Sequence, residues 1–243
     1  MSVLYSAAKG VATLTLDRPQ SRNALNLEMC DRLVSVCREI LLNDGIRLVL
    51  IRANGPVFCA GADLKERQGM SEAQVRERRK KGFAAYAALE ALPMPVIAVL
   101  EGPAVGSGCE IAGACDFIVA TPAASFRTPE ALRGTVGATQ RLPRILGKRL
   151  AKDLMFTGRT LGAEEARDAG LVSRVVAHPD LESILEEIRQ TILNAPPRSL
   201  RLAKRCIDRG VELDPEGALA VEIAAIEEQL AAGTWMGKRK GKQ

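Results

Sequence analysis

Two glutamates and two glycine-bearing stretches are the parts of this chain best equipped for chemistry. The stretches are Pro56–Lys65, PVFCAGADLK, and Gly102–Glu110, GPAVGSGCE. Each reads as a strand that stops at small residues and turns into a helix start, leaving backbone N–H groups unpaired and pointing outward. Two such starts facing one cavity can hold a developing oxyanion between them. Glu110 closes the second stretch, in the first turn of its helix, and Glu130 follows the extended piece Ser125–Pro129. A carboxylate in a first turn can serve the helix dipole alone, and a Glu after Pro is common in turns. Beside the two helix starts the pair has a sharper use. Two carboxylates can share one water, one taking its proton while the other delivers a proton to carbon.

Other chemistries fail on particular residues. Gly106-Ser107-Gly108 begins like a dinucleotide fingerprint, but position 111 is Ile. Gly55 to Gly61 is no phosphate loop, because no Gly-Lys-Ser/Thr follows. Ser107 sits in no nucleophile elbow, and a serine triad would have to recruit His178, the lone histidine, from a turn-like AHPD setting that suits the surface. Acid–base work therefore falls to carboxylates, Lys, Tyr or Cys. The six cysteines, Cys30, Cys37, Cys59, Cys109, Cys115 and Cys206, form no CxxC pair and no metal cluster with His178. They read as free thiols of a reducing compartment.

Short elements must position these groups. Val3–Ser6 and Val11–Leu16 read as strands of a hairpin turning at Ala8-Lys9-Gly10. Asn26 is the expected N-cap of a helix over about 27–43. Leu48–Ile51, Val96–Leu100 and Phe117–Val119 are continuous apolar runs, the mark of strands covered on both faces. A charged segment enters a helix near Ser71-Glu72 that runs to about Leu92, where Pro93 and Pro95 stop it. From about Thr139 helices dominate, at 139–147, 149–157, 163–169, 180–194, 197–209 and 215–232, with a short apolar piece at Leu171–Val176. The apolar stripe Leu181, Ile184, Leu185, Ile188, Ile192 and Leu193 looks too large for one small domain to cover and predicts a partner subunit. The expected layout is an α/β region over 1–140 that holds the site and a helical region over 141–243.

Composition narrows the function classes. Of 243 residues, 47% are hydrophobic and 26% charged, as in ordinary soluble domains. Aromatics are only 3%, too few for platforms that stack nucleobases. The net charge of +5 is mostly Lys238, Arg239, Lys240 and Lys242 in the tail, which read as a solvated end, so no basic face for nucleic acid is expected. No apolar run is long enough to span a membrane, and the start lacks the pattern of a signal peptide.

At the residues that carry the chemistry, the chain resembles the enoyl-CoA hydratase/isomerase, or crotonase, superfamily. The match covers LDRPQSRNALN (16–26), FCAGADLKER (58–67), GPAVGSGCEIA (102–112), TPEALRGT (128–135), TQRLPRILG (139–147) and LMFTGRTLGAEEARDAGLVSRVV (154–176). The resemblance implies an α/β fold, a crotonase-type spiral of β-β-α units followed by C-terminal helices that build a homotrimer or a dimer of trimers. It implies an acyl-CoA thioester substrate with no separate cofactor, coenzyme A being part of the substrate. It assigns the oxyanion donors to Ala62 and Ser107, the catalytic pair to Glu110 and Glu130, and CoA contacts to Ala24, Ala60, Asp63, Leu64 and Lys65. Isomerases of the family can work with the second glutamate alone, so holding both favours hydration, in the cytoplasm or a mitochondrial matrix.

Three departures from the family pattern stand out. Ser107 replaces a common glycine. The loop Gly134–Thr139 is shorter than usual and lacks its Pro-Gly. The end, AAGTWMGKRKGKQ, differs from the usual last helix. The rivals are isomerisation or another thioester-enolate reaction, a catalytically impaired acyl-CoA binder, and an RNA binder. The 27–43 helix speaks against the last, because its basic residues Arg32 and Arg38 sit among Glu28, Asp31 and Glu39.

Overall fold

The computed structural model describes residues 2–233. The basic tail and most of the altered end lie outside the described residues. Strands β1 (Val3–Ala8) and β2 (Val11–Leu16) form the expected hairpin, with Lys9 and Gly10 both at positive φ, the geometry that matches strand twist in a two-residue turn. Helix α1 (Leu27–Leu41) starts where expected, with the Asn26 side chain accepting from the Met29 N–H at 3.0 Å. Next come β3 (Leu48–Ala53), α2 (Glu72–Glu90), β4 (Val96–Leu100), β5 (Pro103–Val105) and α3 (Ser107–Gly113). They are followed by β6 (Phe117–Ala120), β7 (Ser125–Arg127), α4 (Arg141–Thr157), β8 (Leu161–Gly162), α5 (Ala163–Asp168), β9 (Arg174–Val175), α6 (Leu181–Asn194), α7 (Pro197–Gly210) and α8 (Pro215–Ala231).

The strands form two layers. The large sheet has the order β1-β2-β3-β4-β6-β9, parallel except for the first hairpin. The small sheet has the order β5-β7-β8. Two parallel bridges, Leu25 to Ala62 and Cys59 to Ala104, extend the small layer backward along the chain. A repeating unit follows: a strand in the large sheet, an extended piece in the small layer, then a helix. It occurs as β3, 57–62 and α2, then as β4, β5 and α3, then as β6, β7 and α4. Strands β8 and β9, beyond residue 141, return to the small and large sheets.

Apolar runs were expected to be covered on both faces, and they are. In β3, Val49 and Ile51 face one apolar cluster while Leu48 and Leu50 face a second. Leu181, Leu185 and Ile188 of α6 pack on that second cluster. The α6 stripe is thus covered by the chain's own sheet, which corrects the expectation that it needs a partner. Exposed apolar residues lie instead on α7 and α8: Ile207, Leu219, Ile223 and Ile226 are each about half exposed or more.

The two helices expected over 139–147 and 149–157 are the two halves of α4, which meet at a break where Gly147 takes φ 73° and ψ 159°. One further expectation changes. No helix begins at the end of Pro56–Lys65. The Asp63 side chain captures the N–H groups of Lys65 and Glu66 at 3.0 and 3.2 Å, and residues 64–69 form successive turns instead. The helix proper waits for Ser71, whose side chain forms a reciprocal capping box with Gln74. No helix among the described residues is long and apolar enough to cross a membrane.

Candidate active site

Register in the small layer brings the two predicted donors together. Cys59 pairs with Ala104 in parallel, and Ala62 and Ser107 each lie three residues further along. In the second bridge, Gly61 O accepts from Leu25 and Asp63 N–H donates to Leu25, so the Ala62 N–H between them points the other way. Ser107 opens α3, where the first N–H groups lack intrahelical acceptors. Among the described residues neither N–H donates a hydrogen bond. Gly61 makes the close approach possible. At φ 97°, a Cβ there would sit 3.0 Å from Val105 O and 3.9 Å from Ser107 N. The helix start expected at Ala62 is absent, yet its free donor is present, supplied by the bridge.

Glu130 follows β7, whose Arg127 pairs with Val105, so it emerges at the same end of the small layer as the two donors. Gly106 is the second glycine that the site requires. A side chain there would come within bonding range of Glu130 Oε1, at 2.1 Å, and its φ is 51°. Glu130 Oε2 is buried with no hydrogen-bond partner. Burial pushes its carboxyl above the ordinary range, the Glu110 charge pushes the same way, and Arg133 and Arg79 oppose.

Glu110 is buried in the first turn of α3 and ion-paired with Arg141, Nη1 to Oε2 at 2.8 Å. Arg141 also holds Glu90 at 2.6 Å and lies 5.8 Å from the centre of the Tyr86 ring. Buried Tyr86 sets its hydroxyl beside Ser107. A chain of contacts from Glu90 to Ser107 thus fixes one carboxylate and backs one donor.

Ala62, Ser107, Glu110 and Glu130 all border one cavity of about 90 Å³, roofed by α2 through Val75 and Phe83 and by the loop Thr135–Ala138. An outer cleft shares Ala62, Gly106 and Glu130 with it and adds Ala60, Leu64 and Arg133. Of the expected CoA contacts, Ala60 and Leu64 line this cleft. Ala24, Asp63 and Lys65 lie on neither wall. Ala24 gives its carbonyl to Arg18, the Asp63 carboxylate pairs with Arg18 at 3.0 Å, and Lys65 is exposed.

The sequence reading missed several supporting residues. Buried Asn23 donates to Asn54 O and Val57 O and fixes the strand that leads to Ala62. Arg78 is buried, pairs with Glu66 at 2.8 Å and donates to Leu25 O, the carbonyl of the Ala62 bridge. Arg79 donates to Val136 O at 2.8 Å and to Thr135 Oγ1, tying down the shortened loop. The charged run RERRKK, residues 76–81 of α2, therefore hides two arginines that face inward.

The cysteines at 30, 37, 59 and 109 are buried and carry raised thiol pKa values because of burial. His178 is exposed beside Glu101. Among the described residues no group of His, Cys, Asp and Glu could hold a metal ion. Arg32 and Asp31 of α1 are paired with Glu39 and Lys81.

The sequence profile of the enoyl-CoA hydratase/isomerase family matches residues 6–235. The Bacillus subtilis (strain 168) protein YngF, which carries that double designation, is 42% identical over 234 residues, covering 94% of this chain and 90% of its own. The crystal structure of an enoyl-CoA hydratase from Bacillus anthracis superposes with a TM-score of 0.91 at 36% identity, covering 95% of this chain and 92% of that one. A Thermobifida fusca YX protein solved in complex with acetoacetyl-CoA superposes at 0.86 with 26% identity and 95% coverage of both chains.

Proposed function

The chain belongs to the enoyl-CoA hydratase/isomerase family, with the crotonase fold and crotonase-type enzyme chemistry, and from that premise we propose that it hydrates a 2-enoyl-CoA to a 3-hydroxyacyl-CoA. The observation that carries this reading is the convergence of two free N–H donors and two glutamates of unlike environment on one cavity. The thioester oxygen accepts from the Ala62 and Ser107 N–H groups, which stabilise the enolate that forms when oxygen adds to C3. Glu110, an ion-paired carboxylate, takes the proton of the attacking water. Glu130, whose carboxyl pKa burial raises, delivers a proton to C2. Proton exchange with solvent restores both groups. The pantetheine arm enters by the outer cleft past Ala60 and Leu64. Binding of CoA thioesters is supported by the acetoacetyl-CoA complex of the Thermobifida fusca neighbour.

A panel of enoyl-CoA thioesters assayed with purified protein tests the reading. Formation of 3-hydroxyacyl-CoA is expected. Only Δ3-to-Δ2 isomerisation, or tight binding without turnover, would replace hydration with one of its rivals. The reading includes a trimer or dimer of trimers assembled through residues 141–243. The exposed apolar face of α7 and α8 supports it. Light scattering that finds only monomer at micromolar concentration would remove the oligomer from the proposal.

A further inference from the structure

Ion pairs use up the arginines behind the active site. Arg18 pairs with Asp63, Arg78 with Glu66, and Arg141 with Glu90 and Glu110. Two arginines on the cavity wall break this pattern. Arg67 borders both the inner cavity and the outer cleft and has no ion pair or side-chain hydrogen bond among the described residues. Arg79 gives its donors to neutral acceptors, Val136 O and Thr135 Oγ1. Neither guanidinium is in hydrogen-bond contact with a carboxylate among the described residues.

Partly buried guanidinium groups are costly without a counter-charge. An alkyl chain packed against Val75 and Phe83 would use neither arginine. A negative group at the end of the chain would use both, and the guanidinium fork matches a carboxylate in particular. Resting on the hydratase reading above, we propose that the substrate is an enoyl-CoA ending in a carboxylate, which Arg67 and Arg79 receive beyond the reacting carbons.

Crotonyl-CoA and glutaconyl-CoA test this directly, because they differ by a carboxylate in place of one terminal hydrogen. The wild-type kcat/KM is expected to favour glutaconyl-CoA by roughly 10- to 100-fold, the worth of a charge-assisted contact. Arg67→Met should bring that ratio toward one, with an unchanged circular dichroism spectrum. Equal wild-type kcat/KM values for the two substrates overturn the carboxylate site and leave hydration standing. An Arg67→Met loss of equal size on both substrates assigns Arg67 to a CoA phosphate and overturns it as well. If neither thioester is hydrated, the hydratase reading itself fails. Calorimetry with saturated glutaryl-CoA and butyryl-CoA then decides: tighter glutaryl-CoA keeps the anion site, and equal affinities dismiss it.

Discussion

Around Glu110 the chain has invested charge, and around Glu130 it has invested burial. Glu110 sits in regular structure, the first turn of α3, with Arg141 on one oxygen and Glu90 beyond. Glu130 sits in irregular structure between β7 and a glycine-bearing loop, one oxygen wedged against Gly106 and the other without a partner. A helix turn is rigid and can hold a carboxylate at a fixed angle. A loop can press a carboxylate into a dry place only if something else holds the loop, and here that is Arg79. On the proposed mechanism, one water faces two like side chains and still finds a base and an acid, because environment rather than residue type separates them.

Removing either carboxylate should have the largest effect. Glu110→Gln and Glu130→Gln are each expected to lower hydration by roughly 10²–10⁴-fold with CoA affinity largely kept. Near-normal turnover in either variant would take that residue out of the mechanism. The two should differ in stability. Glu130 has a raised folded pKa, so wild-type stability is fully present below the ordinary carboxylate range and falls as pH rises toward that raised value. Glu130→Gln lacks this loss and should melt above wild type at pH 8 but not at pH 4. Hydration should likewise decline as pH rises through the same group. Melting curves that move together at both pH values would show that Glu130 is no drier than an ordinary carboxylate.

The proposed oxyanion donors come next. Ser107→Pro deletes the N–H and should slow a folded enzyme by about 10²–10³-fold, whereas Ser107→Gly should be tolerated because the donor is backbone. Equal losses in both would shift the role to the serine hydroxyl beside Tyr86. Arg141→Leu is expected to cost about 1–3 kcal/mol of stability by stranding buried Glu110. Urea melts that match wild type would show that the pair is not maintained in solution.

The strands and helices were largely legible because apolar runs, caps and prolines are local signals. Asn26, Ser71 and the Pro93–Pro95 pair mark boundaries that the structure keeps. The donors were legible through small residues at two strand ends, although the first stretch forms turns and not a helix. Arg141 was not legible as a partner of Glu110. The two lie 31 residues apart and meet only when α4 packs on α3, which no periodicity encodes. Arg78 and Arg79 were hidden for the opposite reason. A run such as RERRKK looks uniformly solvated, and only tertiary packing decides which of its members turn inward.

The smallest expected effect probes the looser half of the comparison. Arg79 reaches from α2 to Thr135 and Val136, and the loop between Glu130 and α4 carries Ala138 at φ 55°, a left-handed conformation disfavoured for alanine. Tying the loop at 135–136 helps keep Ala138 in that state and Glu130 pressed into the cavity. Arg79→Met removes two hydrogen bonds at a partly exposed position, so its stability cost should be about 1 kcal/mol. Its effect on crotonyl-CoA should appear mainly in KM, within about tenfold, because the loop roofs the proposed acyl cavity while the donors and Glu110 stay in place. The pH profile adds the decisive reading. A looser loop lets water reach Glu130, its raised pKa relaxes toward the ordinary range, and the alkaline decline of activity should move to lower pH. Loss of the Arg79 charge alone would raise that pKa and push the decline the other way. A shift to higher pH would therefore show that Arg79 acts on Glu130 by its charge rather than by holding the loop.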